Sequence, residues 1–399
     1  MTDKNASTAV PPFAWVILAL VYFGSLAAPL NQFKIPPVMG VLMSEFGLTL
    51  ASAGMLMSIF ALIGVILALP SGFIMGRIGI KNTGLAALIF LMGGGALGAT
   101  AESVPVLMVS RFLEGVGMCL MSIVAPTALA AWFPPHKRGL ALGLWGTWVP
   151  VASILAFAAA PAISSTGGWS AVAWAAFGYT AVVFAAFLLI FKMPPPQPGE
   201  AAPPENPGFG AEWAKMLNVL KRRDPWLLAA SFACFMMVTI SLISFMPAFF
   251  ERERGMSAEA AGSMASIYLI SNMIGIFMGG IVSDKIGRKK CIVIPYLVVA
   301  VIMAFYFLPG EAILITMTAA AFIGGLGVTP SFSAAPELVA PQDAGRAMAV
   351  LALGQNAGMS LGPALFGLAA GGLGWAAAGY AMTPILVMGA FLAARLKLR

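Results

Sequence analysis

The chain has 399 residues, of which 60% are hydrophobic and only 9% charged, against about 25% charged in a soluble domain. That composition excludes a soluble globular enzyme and describes a polytopic membrane protein. The formal net charge of +7 does not describe a nucleic-acid groove, because the Lys and Arg residues fall in short loops rather than on one water-facing surface. They read as orientation signals.

Spans of roughly 20 apolar residues cross about 30 Å of hydrocarbon. By that measure the chain predicts helices near residues 13–43, 50–75, 83–101, 105–130, 139–161 and 169–192, then near 226–250, 258–282, 291–308, 311–333, 344–369 and 374–394. The polar N-terminus leads into a first run too long for a cleavable signal, so that run stays in the membrane. Between the two sets lies "KMPPPQPGEAAPPENPGFG", whose prolines and polar residues build no core and read as a linker. The expected organisation is a first six-helix bundle over 1–192, a cytoplasmic linker over 193–225 and a second bundle over 226–399. "WAKMLNVLKRRD" at the end of the linker has the pattern of a short interfacial helix.

With the N-terminus inside, Lys4, Arg77, Lys81, Lys137, Arg138, the cluster from Lys192 to Arg223, Lys285 to Lys290, Arg346 and Arg395 to Arg399 share one side. Lys34, Arg252 and Arg254 fall toward the other, so the positive-inside rule puts both termini in the cytoplasm. His136, in a basic loop, reads as a solvated residue. Glycines within the spans, as in "GGGALGA", read as close helix packing. Cys119, Cys234 and Cys291 lie in apolar runs without CxxC spacing, which points to packing rather than a disulfide framework or zinc site. With no GxxxxGK[ST], no GxSxG and no paired metal ligands, neither an enzyme nor a cofactor is expected, and transport would be driven by gradients rather than ATP.

"SGFIMGRIGIKN" (Ser71 to Asn82) recurs as "GGIVSDKIGRKK" (Gly279 to Lys290), with Gly76 where the second copy has Asp284. Together with "RFLEGVG" from Arg111 and "WFPPHKRGLALG" from Trp132, these turns resemble the signature of the major facilitator superfamily, and the likeness covers essentially the whole chain. The resemblance implies an all-α fold of twelve transmembrane helices in two pseudo-symmetric six-helix bundles. It also implies a cytoplasmic gate drawn from Arg77, Asp284, Arg288, Glu337 and Arg346. Retaining Asp284 but not an acid at Gly76 would leave one strong latch rather than two and bias the protein toward inward-open.

Ionisable groups inside a span are costly and therefore candidates for function. Arg111 and Glu114 lie one turn apart and can pair; the alternative puts Arg111 on the cavity, with Glu114 as a proton carrier. Lys34 follows roughly 21 residues of helix, or ~32 Å of rise. It lies deep if the helix continues and near the interface if Pro36 and Pro37 end it; its neighbours Asn31 and Gln32 favour a wet cavity. The segment through "EFGLT" is similar to anion:cation symporters of organic acids, whose first-helix Asp-Arg pair falls here on Asn31 and Gln32. The Phe33-Lys34 pair resembles monocarboxylate transporters, whose eighth-helix charges are absent here, Asn272 being the polar residue left. Trp145, Trp148, Gln355 and Asn356 complete the candidate cavity.

The expectation is a monomeric secondary transporter in the cytoplasmic membrane. It would move a small organic anion by proton symport or anion exchange, with Lys34 and Arg111 replacing the anion's hydration. An exporter of drugs, metabolites or a siderophore is the alternative, and a non-transporting sensor on the same fold lies outside that class.

Overall fold

Backbone N–H and C=O groups have no water to bond inside hydrocarbon, and a helix satisfies them within one segment. The computed structural model describes residues 10–68, 70–194, 209–306 and 313–398. Lys4, residues 195–208 of the expected linker, the predicted helix ends at 307–308 and 311–312, residue 399 and the side chain of His136 lie outside the described residues.

The first span is α1 (Pro12–Phe33), a one-turn 3-10 segment (Pro36–Val38) and α2 (Met39–Glu45). The second is α3 (Leu50–Leu67) with α4 (Pro70–Ile78), the third α5 (Ile80–Ala99) and the fourth α6 (Val104–Trp132). The fifth and sixth are α7 (Pro135–Trp145) and the long α8 (Trp148–Ile190), which folds back at Gly167 and Gly168. After α9 (Phe209–Leu220) come α10 (Arg223–Arg254), α11 (Ala258–Ile286) and α12 (Arg288–Tyr306). The tenth span is α13 (Ile313–Leu326) with α14 (Val328–Glu337), followed by α15 (Ala344–Leu373) and α16 (Trp375–Ala394). Twelve spans result, within a few residues of the sequence-based boundaries.

The backbone itself records the duplication. Among the described residues, positive φ occurs at six glycines, which fall into three pairs: Gly47 with Gly255, Gly79 with Gly287, and Gly168 with Gly374. The members of the first two pairs are 208 residues apart, and those of the third 206. Only glycine takes this conformation without a Cβ penalty. At the repeated signature turn, Gly79 donates to the Met75 carbonyl at 2.9 Å and Gly287 to the Ser283 carbonyl at 3.0 Å, closing the outgoing helix in the same way.

Apolar packing then shows which face is shut. One core fills the second bundle and continues into the outer part of the first through Phe33, Ile35, Val38, Met39 and Leu42. A separate core holds the remainder of the first bundle together. The two bundles meet along three seams: α3 on α15, α8 on α11, and the 3-10 turn with α2 on α10. In the first, antiparallel seam, a side chain at Gly54 would overlap the Pro363 carbonyl and one at Gly367 the Leu50 carbonyl. Ser58 Oγ accepts a hydrogen bond from the Ala364 N–H at 3.1 Å across the same seam. By contrast α4 and α7 pack chiefly within the first bundle and α14 within the second. The cleft therefore opens on the face that carries the two signature turns, and the opposite face is closed.

Because the closed face depends on backbones meeting at glycine, a larger residue there acts as a wedge. Gly54→Leu should cost the closed face about 1–3 kcal/mol of overpacking, a shift of roughly 5- to 150-fold toward the state open on that side. Spin-label distances between the loops at Thr49 and Gly374 check this; unchanged distances would contradict the reading of the seam.

Candidate functional site

The first span breaks because Pro36 and Pro37 lack backbone N–H groups and cannot donate to the carbonyls of Gln32 and Phe33 four residues earlier. Lys34 caps α1, its N–H on the Leu30 carbonyl at 3.0 Å, and the helix resumes at Met39. Non-helical backbone at membrane depth survives where protein covers it. Here the cover is Arg111, whose Nη2 donates to the Gln32 carbonyl at 3.4 Å and Nη1 to the Asn31 carbonyl at 2.7 Å. Nε of Arg111 donates to the Leu56 carbonyl of α3 at 3.4 Å, and its guanidinium lies 4.6 Å from the Phe60 ring centroid. One arginine on the fourth span thus ties the broken first span to the second.

Glu114, one turn along α6, joins this arginine to Lys34. One carboxylate oxygen accepts from Arg111 and the other from Lys34 Nζ at 2.6 Å. Lys34 also donates to Asn31 Oδ1 at 2.8 Å and sits 5.4 Å from the Trp169 ring centroid. Asn31 is oriented in turn by donating to the Ala27 carbonyl at 2.9 Å and to Thr180 Oγ1 at 3.4 Å. Lys34, Arg111 and Glu114 are 3%, 0% and 1% exposed, so two cations and one carboxylate are buried together. With all three ionised, one positive charge has no matching acid in the cluster.

The surrounding residues make room for this. Gly94 of α5 lies against Ser110 and Glu114 where a Cβ would collide. Trp169 is fixed by its indole N–H to the Gly98 carbonyl at 2.8 Å and its backbone N–H to Glu45 at 3.2 Å. Sequence reasoning missed Phe60, Trp169 and Thr180; the signal that could have marked Trp169 is its place directly after the Gly167-Gly168 reversal.

Several sequence-based candidates are placed otherwise. Arg111 has no exposed surface with which to touch a solute in this state, and Lys34 is buried beside it. Trp145 stacks on Trp148 at 5.3 Å and gives its N–H to Ser25 at 2.9 Å, so its donor is already used. Asn272 turns to the Ala321 carbonyl of α13 at 2.9 Å, inside its own bundle. Asn356 donates to Ala352 of its own helix at 2.9 Å and lies against Gly64 in the seam between bundles. Gln355 is half-buried on the same helix. These residues are not gathered around the Lys34 cluster.

The expected gate residues are likewise distributed. Asp284, Arg288 and Glu337 line a cavity of about 520 Å³ with Ser283, Lys397 and Leu398, all in the second bundle. Arg288 pairs with Glu337 at 2.9 Å, and Arg346 with Asp343 at 2.8 Å. Arg77 is exposed on α4 of the first bundle, across the open face.

Two pseudo-symmetric six-helix bundles, parted on one face and holding buried charges at a broken helix, define a membrane transporter rather than an enzyme. The chain belongs to the Major Facilitator Superfamily, whose profile matches residues 21–261 and 241–399. It is 24% identical over 318 residues to the probable galactarate/D-glucarate transporter GudP of Escherichia coli K12, covering 71% of each chain. It is also 24% identical over 283 residues to the probable nitrate transporter NarT of Staphylococcus carnosus, covering 71% of this chain and 70% of that one. In fold it is similar to the crystal structure of a bacterial homologue of the human lysosomal transporter Spinster, in an inward-facing and unoccupied conformation. The TM-score there is 0.81 at 18% identity, over 96% of this chain and 97% of the other.

The charge balance has a measurable signature. Glu114→Leu leaves two buried cations facing each other and should destabilise the protein by about 3–5 kcal/mol. Lys34→Met leaves the Arg111–Glu114 pair neutral and should cost no more than about 1–2 kcal/mol. Thermal unfolding of both variants in detergent checks the order; equal losses would mean that Lys34 is not the surplus charge.

Proposed function

We propose that this protein is a secondary transporter that carries a small organic anion across the cytoplasmic membrane by alternating access. The observation that carries the proposal is the buried Lys34–Glu114–Arg111 cluster with its surplus positive charge. An uncompensated cation in low dielectric is expensive, and an anionic solute that neutralises it is favoured by the same amount. Relatives named for galactarate, glucarate and nitrate support an anionic substrate.

Lys34 is the cation suited to exchange partners. Arg111 is held by three backbone carbonyls, whereas among the described residues the hydrogen-bond partners of Lys34 Nζ are the side chains of Asn31 and Glu114. It sits in the helix break, about eleven residues or roughly 17 Å of helical rise from the end of the span at Glu45. A substrate carboxylate replaces Glu114 on Lys34; Glu114 keeps Arg111. If a proton neutralises Glu114 as Lys34 leaves it, the cycle is proton symport, and if the carboxylate displaces Glu114 directly, it is anion exchange. In place of direct substrate contact, Asn31 acts as orienter of Lys34, and the Gln32 carbonyl as anchor of Arg111.

The basic loops favour an orientation with both termini in the cytoplasm, which makes the open face the inward one. In this reading 1–192 and 226–399 are the two rocking units, 193–225 the link between them, and one chain is a complete transporter embedded as a monomer in lipid. Arg77 would meet the Asp284–Arg288–Glu337 group, with Arg346 beside it, when the cytoplasmic face closes.

The test is thermal stabilisation of purified protein by a panel of mono- and dicarboxylates, sulfonates, inorganic anions and lipophilic cations, since a ligand specific to the folded state raises the melting temperature. One class of carboxylate should stabilise wild type, and Lys34→Gln should lose at least about tenfold in affinity for it. Stabilisation by lipophilic cations alone, indifferent to Lys34, would replace the proposal with an exporter. In proteoliposomes Glu114→Gln should keep anion exchange while losing the response of uptake to an imposed pH gradient; a retained response would remove Glu114 from coupling.

A further inference from the structure

The linker between the bundles ends in α9, and its sequence FGAEWAKMLNVL repeats apolar residues at Phe209, Trp213, Met216, Leu217 and Leu220. That spacing lays one apolar stripe along the helix. Among the described side chains of the helix Val219 is fully buried, packing against Ala229 of α10 and Val350 of α15, with Leu220 half-buried beside it. Leu217 is 40% exposed and Trp226, at the start of α10, 44% exposed. Trp226 is nevertheless fixed, its indole N–H on the Leu220 carbonyl at 2.8 Å. The corner from α9 to α10 is therefore a built element with Leu217 and Trp226 directed away from the protein.

Its charges are as one-sided as its apolar groups. Lys221, Arg222 and Arg223 follow the helix and are all exposed. Across residues 209–226 four cations, with Lys215, face only two acids, Glu212 and Asp224. Favourable placement at a helix C-terminus accounts for about one of these cations, because that field fades within a turn. α9 ends three residues before α10 begins its membrane crossing, which sets the stripe at the level where headgroups meet acyl chains. An amphipathic helix with an exposed tryptophan and a basic cluster at that level fits an anionic leaflet.

We propose that the α9–α10 corner, through Lys221, Arg222 and Arg223 with Leu217 and Trp226 as apolar anchors, is a binding site for anionic phospholipid headgroups. The site reaches the moving parts. Val219 rests on α10 and α15, and α15 forms the main seam with α3 on the closed face. Lipid held at the corner anchors the ends of these two helices on the open face, which must approach the first bundle when that face closes. Anionic lipid is thus a regulator of the conformational step as well as a surface.

The experiment uses the full chain with phosphatidylglycerol and phosphatidylcholine as probes. Native mass spectrometry of wild type should show phosphatidylglycerol retained at least about tenfold over phosphatidylcholine. The variant K221Q/R222Q/R223Q should bring the ratio within about twofold, while Lys137→Gln, an exposed cation on α7, leaves it unchanged. A spin label at Leu217→Cys, selective because Cys119, Cys234 and Cys291 are buried, should be reached by oxygen in the bilayer rather than by aqueous nickel. An unchanged lipid ratio in the triple variant would overturn the proposal. So would a label open to nickel, or one shielded from both reagents with the mass of a dimer, which would mean that a second copy covers the stripe.

Discussion

A backbone carbonyl stripped of its helical donor inside a membrane must be given another, and at the break of the first span that donor is an arginine. The two consecutive prolines free carbonyls at Gln32 and Phe33, and Arg111 answers at Gln32 while also holding Asn31 and Leu56. The guanidinium needs a counter-charge, which brings Glu114 into the core beside it. Glu114 in turn draws in Lys34, carried to the same depth by the break itself. Proline chemistry, helix geometry and the position of a surplus charge are therefore consequences of one another.

The same economy explains how the cluster relates to the rest of the molecule. Arg111 bridges the first, second and fourth spans, and the second span is the one that meets α15 at the closed face. The outer part of the first span and α10 belong to one continuous apolar core. A change in how Lys34 and Glu114 share their bond thus occurs next to the elements that must separate for the closed face to open. No long relay through the protein is required, because the charge cluster and the seam are attached to the same helices.

Much of this was legible in the sequence. Twelve apolar runs and the repeated turn specify the fold, since each crossing must be long enough to span hydrocarbon and each turn needs its glycine. Spacing cannot say whether a double proline ends a helix or interrupts it; in the structure the helix resumes at Met39. The amides were less legible for a different reason. Asn356 satisfies itself on its own helix and Asn272 on a neighbour, and an apolar sequence around an amide looks the same whether that amide faces a solute, its own backbone or another helix. Trp169 was invisible because its partner, Gly98, is 71 residues away.

The two faces of the molecule present different physics. Where the bundles touch, the fit is one of backbone against glycine, as at Gly54 and Gly367, with the Ser58 hydroxyl crossing over. Where they part, exposed Arg77 stands on one side and exposed Asp284 and Glu337, with half-buried Arg288, on the other. Steric fit does not depend on dissolved ions, whereas attraction between exposed charges weakens as the Debye length shortens, from about 10 Å at 0.1 M salt to about 3 Å at 1 M. If the open face closes through these charges, as proposed above, the two closures respond unequally to ionic strength: salinity changes are felt on the signature-turn side and leave the glycine seam untouched.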